Sequence, residues 1–271
     1  MDNLELLNKL DTFYIYSNQG LYIENIFEKE KYIMTYSSKI DDIYSNYVIN
    51  LKAKSKEEFD IINKEVKTKM EKLDRNVCYI VTPFDGHLYE NRKNIFENNA
   101  FKEAENEVWQ IFDDLDKIDE IYTNCNLNIT LERTKDMGKF AKLNDECFST
   151  DDIDDPYGSL NSGYINAYKS YLEEENKYKK EFYFIKLDNE LIGVTVSVYG
   201  KDICGLCGLA IKKEYRRKGI GKEVLKKQLQ ICKDKNKKFA FLQTEEGFYP
   251  AKLYRKIGFK DVCNVYYYTL K

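Results

Sequence analysis

The chain has 271 residues, of which 43% are hydrophobic and 33% are charged, and its net charge is −3. This length suits two domains of ordinary size better than one small domain. The small net charge argues against a polycation that binds nucleic acid with its whole surface. The first residues lack the basic and apolar regions typical of a leader segment, and no apolar stretch is long enough for a membrane span, so we expect neither feature. Seven cysteines, an odd number, do not fit a secreted disulfide framework, so we expect a soluble, cytoplasmic protein with reduced thiols.

The first half of the chain contains segments typical of both helices and strands. Ser55 begins a capping-box pattern, and apolar residues at helical spacing follow it from Phe59 to Leu73. The amphipathic segment Glu103–Phe112 fits either a strand or a helix. The other expected elements are a helix at Leu4–Leu10, strands at Thr12–Tyr16, Tyr32–Tyr36, Tyr47–Leu51 and Cys78–Thr82, and a helix at Glu90–Asn98. We expect a linker at Asn124–Asn128.

The second half predicts the order βααβββαβαβ. In Leu191–Tyr199, every second residue is apolar and its neighbours are small or polar, which is typical of a half-buried strand. A helix is expected after Gly219, with Ile220, Val224 and Leu225 on its apolar face. The other expected elements are strands at Asn128–Arg133, Phe182–Leu187, Ile203–Ile211, Phe239–Thr244 and Lys260–Leu270, and helices at Asp136–Phe148, Ser162–Glu175 and Tyr249–Ile257.

A strand end, a basic turn and a helix start adjoin at Leu209–Lys222. Six basic residues in this stretch stand against one acidic residue, Glu214. The first amides of a helix have no partner within the helix, and the helix dipole adds partial positive charge there. Because Gly219 and Gly221 carry no side chains, a phosphate could approach these amides closely. The stretch therefore predicts an anion site, although an ordinary turn with a solvated basic face shows the same pattern.

Two motifs in the second half resemble those of the GNAT superfamily of acyl-CoA-dependent N-acyltransferases. Arg216, Gly219 and Gly221 match the signature of Arg or Gln, two residues, Gly, one residue, then Gly or Ala. Leu253-Tyr254 and Gly258-Phe259 match its later block. The resemblance covers about Asn128 to Leu270, and it implies an α/β (α+β) fold with a mixed, mostly antiparallel sheet flanked by helices.

The resemblance also implies acetyl-CoA as the cofactor and assigns roles to individual residues. The amide of Ile211 would face the thioester oxygen, where negative charge develops. Tyr254 would protonate the departing thiolate, although it could also be an ordinary core tyrosine. The residues expected to bind the cofactor are Leu209, Ala210, Ile211, Arg216, Arg217, Lys218, Gly219, Ile220, Gly221 and Lys222.

The sequence departs from the family pattern where relatives carry polar residues. Gly247 stands where many relatives have a cofactor-binding Asn, and Pro250 replaces a small helix residue. The position of the strand carboxylate that some relatives use as a base falls near Gly205. Glu245 and Glu246 are candidates to deprotonate the acceptor through water, and Glu245 also to bind it, although both could simply face solvent. Four aspartates could attract a cationic amine or form a plain solvated loop, namely Asp151, Asp152, Asp154 and Asp155.

The first half resembles a shortened, degenerate copy of the second. Ile95–Lys102 aligns with Leu253–Lys260 without a gap, and Phe96 falls on Tyr254. The first half also lacks the glycine turn, so we expect it to have lost cofactor binding and to shape the acceptor side. This predicts a tandem arrangement with domains at 1–124 and 125–271. Alternatively, the shared pattern could be one that any two αβ domains show.

These observations predict an N-acetyltransferase that moves an acetyl group from acetyl-CoA to a primary amine by direct attack in a ternary complex. The alternative is a non-catalytic acyl-CoA sensor or interaction module. The expected partner is a small-molecule or peptide amine, with no nucleic acid and no membrane. Cys204 and Cys207 form a C-x-x-C pattern, but residues three apart on a strand point to opposite faces, so no metal is expected.

Overall fold

The computed structural model describes residues 3–123, 127–148, 162–171 and 176–271. Its helices are α1 (Asn3–Ser17), α2 (Lys56–Lys72), α3 (His87–Glu97), α4 (Met137–Phe148), α5 (Ser162–Lys169), α6 (Ile220–Asp234) and α7 (Tyr249–Ile257). The strands of the first half are β1 (Asn25–Glu28), β2 (Ile33–Tyr36), β3 (Val48–Ile49), β4 (Cys78–Val81) and β5 (Phe101–Phe112). Those of the second half are β6 (Ile129–Thr134), β7 (Lys179–Leu187), β8 (Glu190–Tyr199), β9 (Ile203–Ile211), β10 (Phe239–Glu245) and β11 (Lys260–Leu270).

The strands form one sheet in the order β1-β2-β3-β4-β11-β5-β10-β9-β8-β7-β6. The last strand of each half is exchanged, because β11 pairs with β4 and β5 pairs with β10. The two exchanged strands also pair with each other along almost their whole length. The halves therefore share one sheet, with their exchanged strands at its centre.

The pairing pattern repeats between the halves. The pairs β3–β4 and β9–β10 are parallel, and the other strand pairs of the described sheet are antiparallel. Each parallel pair is connected by a helix, α2 in the first half and α6 in the second. The predicted mixed, mostly antiparallel sheet and its tandem arrangement are confirmed. Phe96 lies in the core of the first half, where its ring stacks on that of Tyr268 at 4.4 Å.

Alternate residues of the central strands face two different layers of helices. Trp109 and Ile111 of β5 lie in the core beneath α1, α4 and α5, as does Phe241 of β10. Phe112 and Leu242 lie on the opposite face, packed against α6 and α7. This alternation is the two-residue period of a strand buried on both faces.

Most predicted elements are present, two predictions need correction, and one open alternative is resolved. Thr12–Tyr16 is not a strand, because α1 continues to Ser17 and buries Phe13 and Tyr14 against the sheet. The helix that begins at Ser162 ends at Lys169 rather than at Glu175. The ambiguous segment that includes Glu107 is strand β5. Ser55 caps α2 as predicted, and its hydroxyl accepts a hydrogen bond from the Glu58 amide at 3.3 Å.

One pair of cysteines differs from the expected reduced state. Cys204 of β9 and Cys232 of α6 are joined by a disulfide, with their Cα atoms 6.0 Å apart. The helix packs directly on the strand and so brings the two sulfur atoms together. Within the described ranges, no helix is both long and apolar enough to cross a membrane.

Candidate functional site

The site is built around a gap between β9 and β10. Within the described sheet, these strands pair only through residues 203–205 and 239–241, although β9 continues to Ile211 and β10 to Glu245. On its other edge, β9 pairs with β8 through a bulge between Val194 and Val196. Gly208 lies in this bulge with a φ of +57°, a conformation that favours glycine. The second half of β9 thus has one backbone edge exposed in the gap.

A cavity of about 850 Å³ fills this gap and is lined from both halves of the chain. This volume lies within the range of roughly 300–1,000 Å³ typical of small-molecule sites. One end is formed by Leu209, Ala210, Ile211, Arg216, Arg217, Gly219, Ile220, Gly221 and Lys222. Of the residues expected to bind the cofactor, only Lys218 is outside the described wall of the cavity.

The backbone N–H and C=O groups of Ile211 point away from β8. The next residue, Lys212, donates its amide hydrogen to the Ile192 carbonyl of β8 at 2.9 Å. Because consecutive residues of a strand direct their N–H and C=O groups to alternate sides, the groups of Ile211 face the gap. Its carbonyl oxygen lies on that side and accepts a hydrogen bond from Arg216 Nε at 2.8 Å. The Ile211 amide is therefore available to a molecule in the gap.

The first turn of α6 presents its amides to the cavity. Gly219 precedes the helix with a φ of 80°, and no side chain caps the helix start. A Cβ atom added at Gly221 would meet only the Ile211 Cδ1 atom, at 3.9 Å, an ordinary contact. The protein itself therefore leaves room for a side chain at Gly221. Because that side chain is absent, a ligand can approach the amides at the start of α6, and we call this turn at Gly219–Gly221 the cradle. Such a turn fits a phosphate group, because its amides have no hydrogen-bond partners within the helix and the helix dipole is positive at this end.

The basic residues beside this turn have different partners. Arg216 donates from Nη2 to the Cys147 carbonyl at 2.7 Å as well as to Ile211, so it fastens the turn to α4 and β9. Lys212 forms an ion pair with Glu146 at 3.0 Å. Lys222 lines the cavity and lies 5.9 Å from the Tyr122 ring centroid. The structure therefore gives Arg216 a positioning role in addition to its predicted one.

Tyr254 projects from α7 into the same cavity. Its ring packs against Phe259 at 5.9 Å between centroids. Burial raises the pKa of Tyr254 to about 12, so its phenol is protonated at neutral pH. Among the described residues, no group forms a hydrogen bond with this hydroxyl, which leaves the O–H free to act as a donor toward a bound molecule.

Carboxylates from the first half reach the other end of the cavity, and the sequence did not predict them. Glu107 of β5 is only 5% exposed and accepts a hydrogen bond from the Tyr267 hydroxyl at 2.7 Å. Burial raises the pKa of the Glu107 carboxyl to about 8. Asp42 accepts a hydrogen bond from the Tyr164 hydroxyl at 2.5 Å, and burial also raises its pKa. The sequence signal for Glu107 was a charged residue at an inward position, which is visible only once Glu103–Phe112 is assigned as a strand.

The structure does not place the remaining predicted residues in the described wall of the cavity. Glu245 lies opposite Glu107 in the β5–β10 pair, and burial and Glu105 raise its pKa, but it lies outside the described wall of the cavity. A Cβ atom at Gly205 would lie 2.6 Å from the Phe13 ring, so α1 leaves no room there for a strand carboxylate. The aspartates Asp151, Asp152, Asp154 and Asp155 lie outside the described residues, and their role stays a prediction.

The comparison with known families matches residues 140–259 to the model of the acetyltransferase (GNAT) family. A comparison with curated protein sequences finds no match.

Solved structures share the architecture over nearly the whole chain. A functionally unknown conserved protein from Staphylococcus epidermidis has a TM-score of 0.66 at 13% identity, covering 92% of this chain and 94% of that one. A GCN5-related N-acetyltransferase from Kribbella flavida has a TM-score of 0.65 at 10% identity, covering 96% and 94%. A tandem GNAT protein from the clavulanic acid biosynthesis pathway has a TM-score of 0.58 at 9% identity, covering 88% and 77%. At these identities, the likeness shows the fold.

Proposed function

We propose that this protein, whose residues 140–259 form a GNAT acetyltransferase domain, transfers an acetyl group from acetyl-CoA to a primary amine. Attack would be direct, within a ternary complex of the protein, acetyl-CoA and amine. The family and the fold support acyl transfer in general. The observation that carries the specific proposal is the single cavity that joins the first turn of α6, the open edge of β9 and the Tyr254 phenol.

The chain's own groups suit each task of this reaction. The amides at the start of α6 and the side chain of Lys222 would hold the pyrophosphate, and the backbone of Leu209–Ile211 would hold the pantetheine. Bound acetyl-CoA would supply the activated acyl group. The Ile211 amide would stabilise the oxygen that gains negative charge. Tyr254 would donate its phenolic proton to the leaving sulfur, because its raised pKa keeps that proton in place at neutral pH.

Replacing Tyr254 with Phe tests this assignment. Tyr254→Phe retains the ring that packs on Phe259 and removes only the proton donor. We expect kcat to fall on the order of 10²-fold, while the thermal shift produced by CoA is unchanged. The measurement is the release of CoA thiol during turnover, together with thermal unfolding with and without CoA.

The matched control is Tyr266→Phe, which changes a half-buried tyrosine of β11 outside the described cavity wall. This variant should match the wild type in both measurements. An unchanged kcat in Tyr254→Phe would show that Tyr254 is a core residue only. A wild type that binds CoA but acetylates no amine would instead favour the alternative, a non-catalytic acyl-CoA sensor.

A further inference from the structure

The cavity continues through the sheet to a chamber formed mainly by the first half. We call this end the acidic chamber, and its defining residues are Tyr14, Tyr22, Asp42, Glu107, Tyr164 and Tyr168. All but Tyr164 and Tyr168 of α5 come from the first half. The acidic chamber is continuous with the end where Ile211 and Tyr254 lie. A molecule bound there would therefore approach the acyl group from the side opposite α7.

The register of the central strands fixes the face on which Glu107 lies. Trp109 pairs with Gln243, and Glu107 pairs with Glu245 two residues further along. Alternation therefore places Glu107 on the same face as Trp109, beneath α1. Tyr254 packs with α6 and α7 on the other face. Glu107 on one face of the sheet and Tyr254 on the other could therefore act, as base and acid, on opposite sides of a group held in the gap between β9 and β10.

The carboxylate of Glu107 has one oxygen without a donor. Oε2 accepts from Tyr267, whose hydroxyl lies 2.7 Å from that of Tyr14. Within the ranges that the structure describes, no donor reaches Oε1. The titratable groups around this carboxylate are Tyr267 of β11, Tyr14 of α1, Tyr47 before β3, Glu105 of the same strand and Glu245 of β10. None of these groups is a cation, so an ionised Glu107 would need positive charge from a ligand.

A second observation points to the same chemistry. Asn144, a residue 4% exposed, lines the cavity, and its side-chain oxygen has no hydrogen-bond partner among the described residues. An ammonium group carries only donors and could satisfy such acceptors. Tyrosine side chains also line the acidic chamber, and the face of a tyrosine ring attracts cations. Besides Lys222, a second lysine, Lys180, lines the cavity, but its Nζ donates to the Gln19 carbonyl at 3.0 Å and to Asn176 at 2.9 Å.

We infer that the acidic chamber binds the acceptor as a cationic primary amine and that Glu107 is the base that takes its proton. This inference rests on the proposed function. Binding of the ammonium first displaces the proton that Glu107 holds, which leaves to the solvent. In the step that follows, one N–H bond of the ammonium breaks, its electron pair stays on nitrogen as the lone pair, and the proton forms an O–H bond with Oε1 of the ionised carboxylate. The first half of the chain, although it lacks the glycine turn, thus supplies a catalytic residue and the acceptor site.

Proton release on amine binding tests the inference without turnover. The probe is the amine that shows the highest turnover in a panel of primary amines, titrated into the protein saturated with CoA. Calorimetry in two buffers of different ionisation enthalpy gives the number of protons released. At neutral pH the wild type should release close to one proton, because a carboxyl whose pKa is about 8 is mostly protonated before the amine binds. Glu107→Gln should release none.

The matched control is Glu103→Gln, which changes an exposed glutamate of the same strand. This variant should release protons as the wild type does. Equal release by Glu107→Gln and the wild type would overturn the inference. If Glu107→Gln does not fold, Tyr267→Phe serves instead. It removes a hydrogen bond that favours the charged carboxylate, so proton release should persist to a higher pH than in the wild type, and an unchanged pH dependence would overturn the inference.

Turnover separates this inference from the proposed function. Glu107→Gln should retain the thermal shift given by CoA and lose about 10²- to 10⁴-fold in kcat, the usual effect of removing a general base. If the wild type acetylates an amine and Glu107→Gln does so equally well, the inference alone fails. If the wild type acetylates none of the amines, the proposed function fails and the inference fails with it.

Discussion

Glu107 is a carboxyl group at an inward position of β5, where Trp109 and Ile111 on the same face are apolar. Its pKa is raised to about 8 because the strand carries it into the core, against an ordinary value near 4.3 for glutamate. The folded protein thus holds this proton more tightly than the unfolded chain does. Tyr267 limits the shift, since its hydrogen bond favours the charged form.

This shift predicts a pH-dependent loss of stability. The contribution of a protonated Glu107 is fully present below the unfolded pKa and is lost as pH rises through about 8, by up to about 1.4 kcal/mol per pH unit between the two values. Glu107→Gln is neutral throughout, so its free energy of unfolding should rise relative to that of the wild type from about pH 5 to about pH 8. Urea unfolding at several pH values measures the difference.

The buried carboxyl group of Asp11 does not affect the difference in stability between Glu107→Gln and the wild type. Burial raises the pKa of Asp11 to about 7, but Asp11 is present in both proteins, so its contribution cancels from the difference. Parallel stability curves for the wild type and Glu107→Gln would contradict the raised pKa of Glu107. The same result would weaken the case for Glu107 as a base near neutral pH.

At the scale of single elements, the start of α6 could be predicted from sequence because its signal is local. A helix that begins directly after Gly219 and carries Gly221 in its first turn needs only neighbouring residues to be recognised. The strand predicted at Thr12–Tyr16 failed for the opposite reason. Its aromatic residues favour a strand locally, yet Phe13 and Tyr14 belong to α1 and pack on strands that lie far away in the chain.

The cradle at α6 predicts the effect of adding a side chain at Gly221. Gly221→Val should abolish or greatly reduce the thermal shift given by CoA, because the new side chain would project where the phosphates approach the amides. The unfolding temperature without CoA should change little, since the added Cβ meets only Ile211 Cδ1 at 3.9 Å.

Gly138→Val is the matched control for this substitution. Gly138 lies in the first turn of α4, where an added Cβ would meet only the Asp136 carboxylate at 3.7 Å, and it lies outside the described cavity wall. This variant should retain the full thermal shift. A full shift in Gly221→Val as well would refute the cradle as the phosphate site.

At the scale of the whole molecule, the exchange of β5 and β11 explains why the site could be predicted only in part. Tyr254 and the glycine turn belong to the second half and were identified from contiguous motifs. Glu107 and Asp42 reach the cavity because the halves share one sheet, a long-range arrangement that no local pattern encodes. The sequence predicted that the first half shapes the acceptor side, but it did not indicate which residues of that half line the cavity.

Turnover by the wild-type protein is the decisive test of acetyl transfer from acetyl-CoA to an amine. Acetyl-CoA is supplied with each member of a panel of primary amines, thiol release is followed, and the product is identified by mass spectrometry. We predict that at least one amine is acetylated in step with thiol release. We also predict intersecting initial-rate lines, since direct attack forms no acetylated protein. CoA binding with no thiol release above the amine-free rate, for every amine, would contradict the claim.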